Sequence, residues 1–268
     1  MNSINTNVGA LLAQKFLRSV STELVVTQNR LSSGLRVSTV TDDASTFAVA
    51  AGIRGDIKAY TAVSAALQGS VASAKVAVSA GETIGARLGD IKAKIVLLSN
   101  NALSQTERDT YNADLASLVG EVNTYLLQAS YNGTNLLGTG GTDVRVVANV
   151  DGSTITLRNN DVEDLAIAAI NNNGQAVNAL KTLETFQGTL DTALANLGSD
   201  LVRASNQVEF INRTEETVRI GLGALVDADI ARETTLFNAL QVRQQLAVQA
   251  IGIANQSPRV LLGLFPTS

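Results

Sequence analysis

The chain has no histidine and no cysteine in 268 residues, and those two absences remove most common active-site chemistry. Without them no Ser-His-Asp triad, Cys-His dyad, thiolate zinc site or histidine metal cage can be built. No disulfide can form either, so cysteine usage leaves the redox compartment undecided. Carboxylate or lysine chemistry stays formally open, but no pair of residues nominates itself for it, and no cofactor is expected. Aromatic residues are scarce at 4%, against 45% hydrophobic residues overall, many of them alanine. That balance suits thin helical bundles better than a thick globular core. Charged residues reach only 16% and the net charge is −4. No long basic run appears, so neither nucleic acid nor an anionic membrane is expected as a partner.

A secretory signal is also missing: Met1–Ala10 is polar, and the run Val8–Ala13 is too short for an h-region and lacks a basic start. No window approaches the roughly 18 apolar residues of a membrane span. The expectation is a soluble chain, or one that leaves the cell without a cleaved signal.

What the chain does have is helical periodicity. Near the front, Leu17, Val20, Leu24, Thr27 and Leu31 step by three and four. Near the back, Phe237, Leu240, Gln244, Ala247, Ile251 and Ala254 do the same, and Val260, Leu261, Leu262, Leu264 and Phe265 follow. Such stripes need another helix to cover them. Two apolar termini that can pair with each other and with further copies suggest assembly.

Between the termini, residues 1–36 read as an arm ending in helix, with Gly34 as its break. Thr41 or Asp42 is placed to cap the next helix, which is expected from about Ala44 to Ser99. Gly52, Gly55, Gly69, Gly81, Gly85 and Gly89 weaken it, each by up to about 1 kcal/mol against alanine. They imply close helix approach or bending, with local breaks as the alternative. Asn100–Leu103 reads as a turn, and Ser104 with Glu107 matches a capping box. The helix that follows puts Tyr111, Leu115, Leu118, Val122, Tyr125 and Ala129 on one face, and Asn132-Gly133 is read as closing it.

The runs Val144–Val150 and Ser153–Arg158 flank Asp151-Gly152, a hairpin signal. After a break at Asn171–Gly174 comes the strongest stripe: Leu197, Leu201, Ala204, Val208, Ile211, Glu215, Val218, Leu222 and Leu225. Leu183, Phe186, Leu190 and Leu194 extend it upstream with one residue of slip. A helix of about forty residues, roughly 60 Å long, is predicted there. Glu215 is its lone polar member, expected to snorkel or pair with a neighbour. The fold expected is therefore mainly α: an elongated antiparallel helical bundle or coiled coil, with a small β-hairpin region distal to the paired termini.

Short motifs carry little chemistry. The glycine pairs Gly85/Gly89 and Gly221/Gly223 complete no nucleotide-binding fingerprint and read as helix packing. Asp42 and Asp43 read as caps at a positive helix N-terminus in preference to a metal or acid pair. Asn132-Gly133-Thr134 fits a glycosylation triplet, a pattern too short to carry weight alone.

Other segments are more specific. Arg30, Leu31, Ser32, Ser33, Gly34, Leu35 and Arg36, then Thr41, Asp42, Asp43 and Ala44, with the opening Ile4-Asn-Thr-Asn7, closely resemble the N-terminal signature of bacterial flagellins. Ala228–Glu233, Leu240–Leu246, Ala254–Gln256 and Leu261–Phe265 resemble the family's other end. Asn132–Leu137 resembles the phrase that follows its second helix. The resemblance runs in order along nearly the whole chain and lacks the large variable outer region that many flagellins insert.

The resemblance implies an extracellular, self-assembling subunit of the rotating filament, exported through a type III export apparatus without a signal peptide. It implies a terminal domain of 1–40 with 229–268 lining the filament core, and a helical domain of 41–228 with the hairpin at about 144–158. Core contacts are expected from Leu17, Val20, Leu24, Leu31, Leu240, Ile251, Leu261 and Phe265. The inner positions of the second domain are expected at Leu115, Leu118, Val122, Leu197, Leu201, Val208, Ile211 and Val218. Implied partners are further copies of the chain, the hook–filament junction protein, the filament cap and an export chaperone. A departure falls in the segment Leu88–Leu98, which an innate immune receptor of the Toll-like type grips in many flagellins. Gly89 and Asp90, followed by Lys92, stand where those flagellins have glutamine and arginine, so weak recognition is expected. The rival readings are a hook–filament junction protein of the same architecture and a generic coiled-coil interaction protein.

Overall fold

The computed structural model describes residues 6–262, the side chains of 257–262 excepted. The chain is mainly α-helical: five helices and two small antiparallel two-stranded sheets among the described residues. It divides into two compact units, residues 1–55 with 218–268 and residues 56–217.

In the first unit, α1 (Val8–Ser33) lies antiparallel to α5 (Ile230–Leu262). The Asn7 side chain starts α1 by accepting the Ala10 N–H at 3.0 Å, and its amide also donates to the Ala254 carbonyl at 2.7 Å. One residue thus both caps a helix and pins it to its partner. Gly34 ends α1 in the left-handed region at φ 71°, which glycine adopts without strain, and donates to Arg30 O.

The connectors that follow α1 and precede α5 are stitched together. Arg36 N–H donates to Val226 O at 2.7 Å, and Ala228 N–H donates to Gly34 O at 2.9 Å. A small core of Val37, Ala50 and Val226 sits beneath them.

The second unit is built on α2 (Ala44–Leu98), α3 (Gln105–Gln128) and α4 (Asn173–Val226), although α2 begins and α4 ends within the first unit. Asp43 caps α2, accepting from Thr46 N–H at 3.0 Å, so of the acidic pair read as caps it is Asp43, and neither Thr41 nor Asp42, that caps the helix. Ser104 and Glu107 form the expected capping box on α3. At 54 residues α4 is longer than the predicted forty, because the slip upstream of Leu197 is absorbed without a break.

Asn132-Gly133 does not close α3, which ends at Gln128. Its φ values of 49° and 78° make it instead the two-residue turn of a hairpin between β1 (Ser130–Tyr131) and β2 (Thr134–Asn135). The second hairpin, β3 (Val144–Val147) with β4 (Thr154–Leu157), lies where it was predicted, in the register Val144 with Leu157. Its loop is longer than Asp151-Gly152: Gly152, at φ 85°, closes a turn by donating to Asn149 O.

The main core joins α2, α3 and α4 through Ile84, Leu88, Ile91, Ile95, Leu115, Val122, Leu190 and Leu197, among others. Over it lies an extended segment, 158–171, anchored by buried Val162, Leu165 and Ile170. Of the helical glycines, only Gly81 brings α2 close to a neighbour: a Cβ there would meet Leu194 Cδ2 at 2.6 Å. At Gly52, Gly55, Gly69, Gly85 and Gly89 the space is open, so close approach does not explain them.

Candidate assembly surfaces

The terminal stripes face each other. Val20 and Thr27 on α1 and Leu240 and Ala247 on α5 are buried, with Leu17, Leu24, Leu31 and Ile251 half-buried beside them. These positions therefore spend much of their apolar area inside one chain. Leu261 has no described side chain and Phe265 lies outside the described residues. At the end of the seam nearest the connectors, Arg30 Nη1 lies 3.4 Å from Oε1 of nearly buried Glu233.

The remaining faces of this helix pair carry apolar side chains that nothing among the described residues covers. Leu12 is 63% exposed, Phe16 51%, Leu246 57% and Ile253 70%. Leu11, Val25, Val242 and Val248 are likewise exposed. A single exposed leucine needs no explanation, but this density on one helix pair marks an interaction surface. The periodicity reading did not single these residues out. The available signal was that a two-helix seam needs only its own stripe, so apolar residues outside it are surplus.

The signature segment is structural. Arg30 joins the seam, Leu31 packs at it, Ser32 and Ser33 close the helix and Gly34 caps it. Asp42 does not cap α2. Its Oδ2 gathers the backbone N–H and hydroxyl groups of Ser38 and Thr39, which lower its pKa from 3.8 to about 2. The Thr46 hydroxyl and N–H likewise hold the Asp43 carboxyl below its ordinary value.

In the second unit, Leu115, Val122, Leu197 and Ile211 are buried. Leu118 and Leu201 pack half-buried against the main core, and Val208 against a smaller one with Val63, Leu67, Val146 and Ile211. Val218 is half-buried and belongs to the first unit. Buried Val119 and Leu126 were missed by the stripe on α3, as was Arg108, which caps the end of α2 by donating to Leu98 O and Asn100 O at 2.9 Å each.

The segment Leu88–Leu98 is the last part of α2. Gly89, Asp90 and Lys92 are exposed on it. Asp90 lies 3.4 Å from Arg87, which also reaches Glu121 on α3 at 3.4 Å. Hydrogen bonding to Tyr125 and then to Asp90, with the charge of Glu121, raises the Arg87 pKa and keeps that guanidinium engaged. Among the described residues no cluster of acidic side chains is arranged to hold a metal ion, and no helix is long and apolar enough to cross a membrane.

Two family models cover most of the sequence. The bacterial flagellin N-terminal helical region matches residues 4–142, and the bacterial flagellin C-terminal helical region matches residues 180–265. The chain is 32% identical to flagellin FljK of Caulobacter vibrioides over 99% of both chains. It is 36% identical to a flagellin of Brucella melitensis, again over 99% of both. A crystal structure of Bacillus cereus flagellin overlaps at a TM-score of 0.49 and 19% identity, across 53% of this chain and 86% of that one; the assignment does not rest on it. End-to-end agreement at this identity, with both terminal regions matched in order, settles the question of kinship: the chain belongs to the bacterial flagellin family, the structural subunits of the flagellar filament.

Proposed function

We propose that copies of this chain polymerise through the outer apolar faces of α1 and α5, with the seam between those helices holding each subunit's own ends together. The observation that supports this is the row of uncovered side chains, Leu11, Leu12 and Phe16 on α1 and Leu246, Val248 and Ile253 on α5. Burying such side chains contributes about 1.5–3 kcal/mol each when complete, enough to drive assembly of many weakly held copies. A contact between two different faces, repeated with a rotation that does not close, produces a helical polymer. Leu17, Val20, Leu24, Leu31, Leu240 and Ile251 then act indirectly, by fixing which faces point outward.

The terminal domain, 1–40 with 229–268, lines the filament core on this reading, and 41–228 is a separate helical domain carrying the hairpin. The chain passes unfolded through a type III export apparatus, attended by an export chaperone, and takes its place between the hook–filament junction protein and the filament cap. It has no catalytic role. The test is a pair of substitutions, Leu12→Glu and Leu246→Glu, on exposed positions that leave the seam intact. The doubly substituted chain keeps its helical circular dichroism and fails to elongate filament seeds. Normal elongation would show that these faces are not the contact.

A further inference from the structure

The extended segment 158–171 is bonded to α3 along one side. Asn123 and Asn112 take the backbone N–H and C=O groups of Leu165 and Ile170. Successive backbone groups of an extended chain turn to opposite sides, so those of Asp164 and Ala166 point away from α3. These groups, with those of Glu163 and residues 167–169, find no hydrogen-bond partner among the described residues. A groove of about 570 Å³ runs between this part of the segment and α4, with Val162, Leu165 and Phe186 buried at its base. A second groove, of about 310 Å³, continues it along Ala166–Ala169. The hydroxyls of Thr182, Thr185 and Thr189 on the α4 wall donate to carbonyls of their own helix, which leaves their lone pairs to accept. Asp161, Glu163 and Asp164 add three carboxylates, and no lysine or arginine lines either groove. The site offers acceptors, negative charge and an unpaired strand edge.

The β3–β4 hairpin carries the complement. Ala148 N–H donates to Ser153 O at 2.7 Å, so the alternation turns Val144 and Val146 towards β4 and leaves the backbone groups of Arg145 and Val147 facing outward. The outer edge of β4 is covered by α4, where the Arg203 guanidinium donates to Thr156 O. The outer edge of β3 has no such cover: the backbone groups of Arg145 and Val147 bond to nothing among the described residues. Both side chains are exposed, Val147 by 43%. An open edge is a template for another strand, and a charge on it selects the strand it accepts. Two β3 edges brought together would place arginine against arginine. An edge flanked by Glu163 and Asp164, neither of which makes an ion pair among the described residues, suits Arg145 instead.

We infer that the groove along residues 161–169 is a docking site for the open β3 edge of a second copy of this chain, joined by strand pairing and by Arg145 against Glu163 and Asp164. Resting on the filament reading above, this adds a contact between second units to the one between terminal helices. The two surfaces differ, so the contact is heterologous and repeats from copy to copy. The absence of cysteine makes cross-linking a clean test. Chains carrying Val147→Cys and chains carrying Ala166→Cys are mixed, polymerised on seeds and treated with a short bis-maleimide. Cross-linked dimers holding one chain of each kind form in the filaments and are absent from the unpolymerised mixture. Filaments that form without such dimers would overturn the inference and leave the filament reading standing. Failure of the unaltered chain to polymerise would overturn the filament reading and this contact with it. Charge reversal supplies the second measurement. Arg145→Glu alone, or Glu163→Lys with Asp164→Lys, raises the protein concentration needed for elongation by about fivefold, with helical circular dichroism unchanged. Combining all three substitutions restores it towards the original value. Losses that simply add in the combined variant would overturn the pairing of Arg145 with the acidic edge.

Discussion

Asn123 on α3 holds Leu165 by both of its backbone groups: its Oδ1 accepts the Leu165 N–H at 2.8 Å and its Nδ2 donates to the Leu165 carbonyl at 3.1 Å. Asn112 does the same for Ile170, at 2.9 and 3.2 Å. Each side-chain amide imitates a neighbouring strand, and the extended segment is held across the core without joining a sheet.

Removing that imitation strands two backbone groups. Asn123→Ala is expected to destabilise the chain by about 2 kcal/mol, because a donor and an acceptor beside buried Leu165 lose their partners. Urea unfolding followed by circular dichroism measures it. Asn123→Asp keeps the acceptor and loses the donor, so it falls between the two.

Asp200 anchors the β3–β4 hairpin to α4. Only 2% exposed, its carboxylate accepts from the Arg158 N–H at 3.0 Å, from the Arg158 guanidinium at 3.3 Å and from Arg203 Nη2 at 3.0 Å. Both arginines are about half exposed and rehydrate when freed, so Asp200→Ala is expected to cost about 2–3 kcal/mol, below the upper range for a broken buried pair. Asp200→Asn keeps one acceptor and loses less. Amide exchange in 144–157 distinguishes a released hairpin from general destabilisation.

Asp42 gives the connector a dependence on acid. Its folded pKa of about 2 lies below the ordinary 3.8, so its contribution is present above 3.8 and is lost as pH falls towards 2. Asp42→Asn is therefore less stable than the unaltered chain at pH 5, and the gap narrows through pH 4 to 2. A gap that stayed constant with pH would mean the carboxylate charge contributes nothing at this loop.

The segment around Asp90 is expected to stimulate the Toll-like receptor weakly. Exposed Gly89 offers no side chain, and Asp90, paired with Arg87, presents charge opposite to the arginine of many flagellins. Reporter cells treated with monomer measure the effect. Asp90→Arg with Gly89→Gln raises potency if the segment sets recognition, and leaves it low if another region does.

How much of this was legible in the sequence depended on the range of the forces involved. Gly34, the capping box of Ser104 and Glu107, and the span of α2 are local devices, readable from neighbouring residues. The seam of Val20, Thr27, Leu240 and Ala247 followed from periodicity alone. Val119 and Leu126 were missed because a four-three stripe describes one contact face, whereas the buried surface of α3 is wider than one stripe. Asn132-Gly133 was misread because strands of two residues show no alternation. The segment 158–171 was silent, since its order comes from Asn112 and Asn123, distant in sequence and joined to it by side-chain bonds. The exposed leucines of α1 and α5 obey no stripe, and their meaning emerged only once the seam was accounted for.

The most direct test of the account is seeded polymerisation of the purified chain, followed by electron microscopy. Long filaments of uniform width, growing from added seeds and absent from a variant lacking residues 6–33, are the predicted result. Discrete short oligomers in the presence of seeds and precipitant, or normal filaments from the variant without α1, would contradict it.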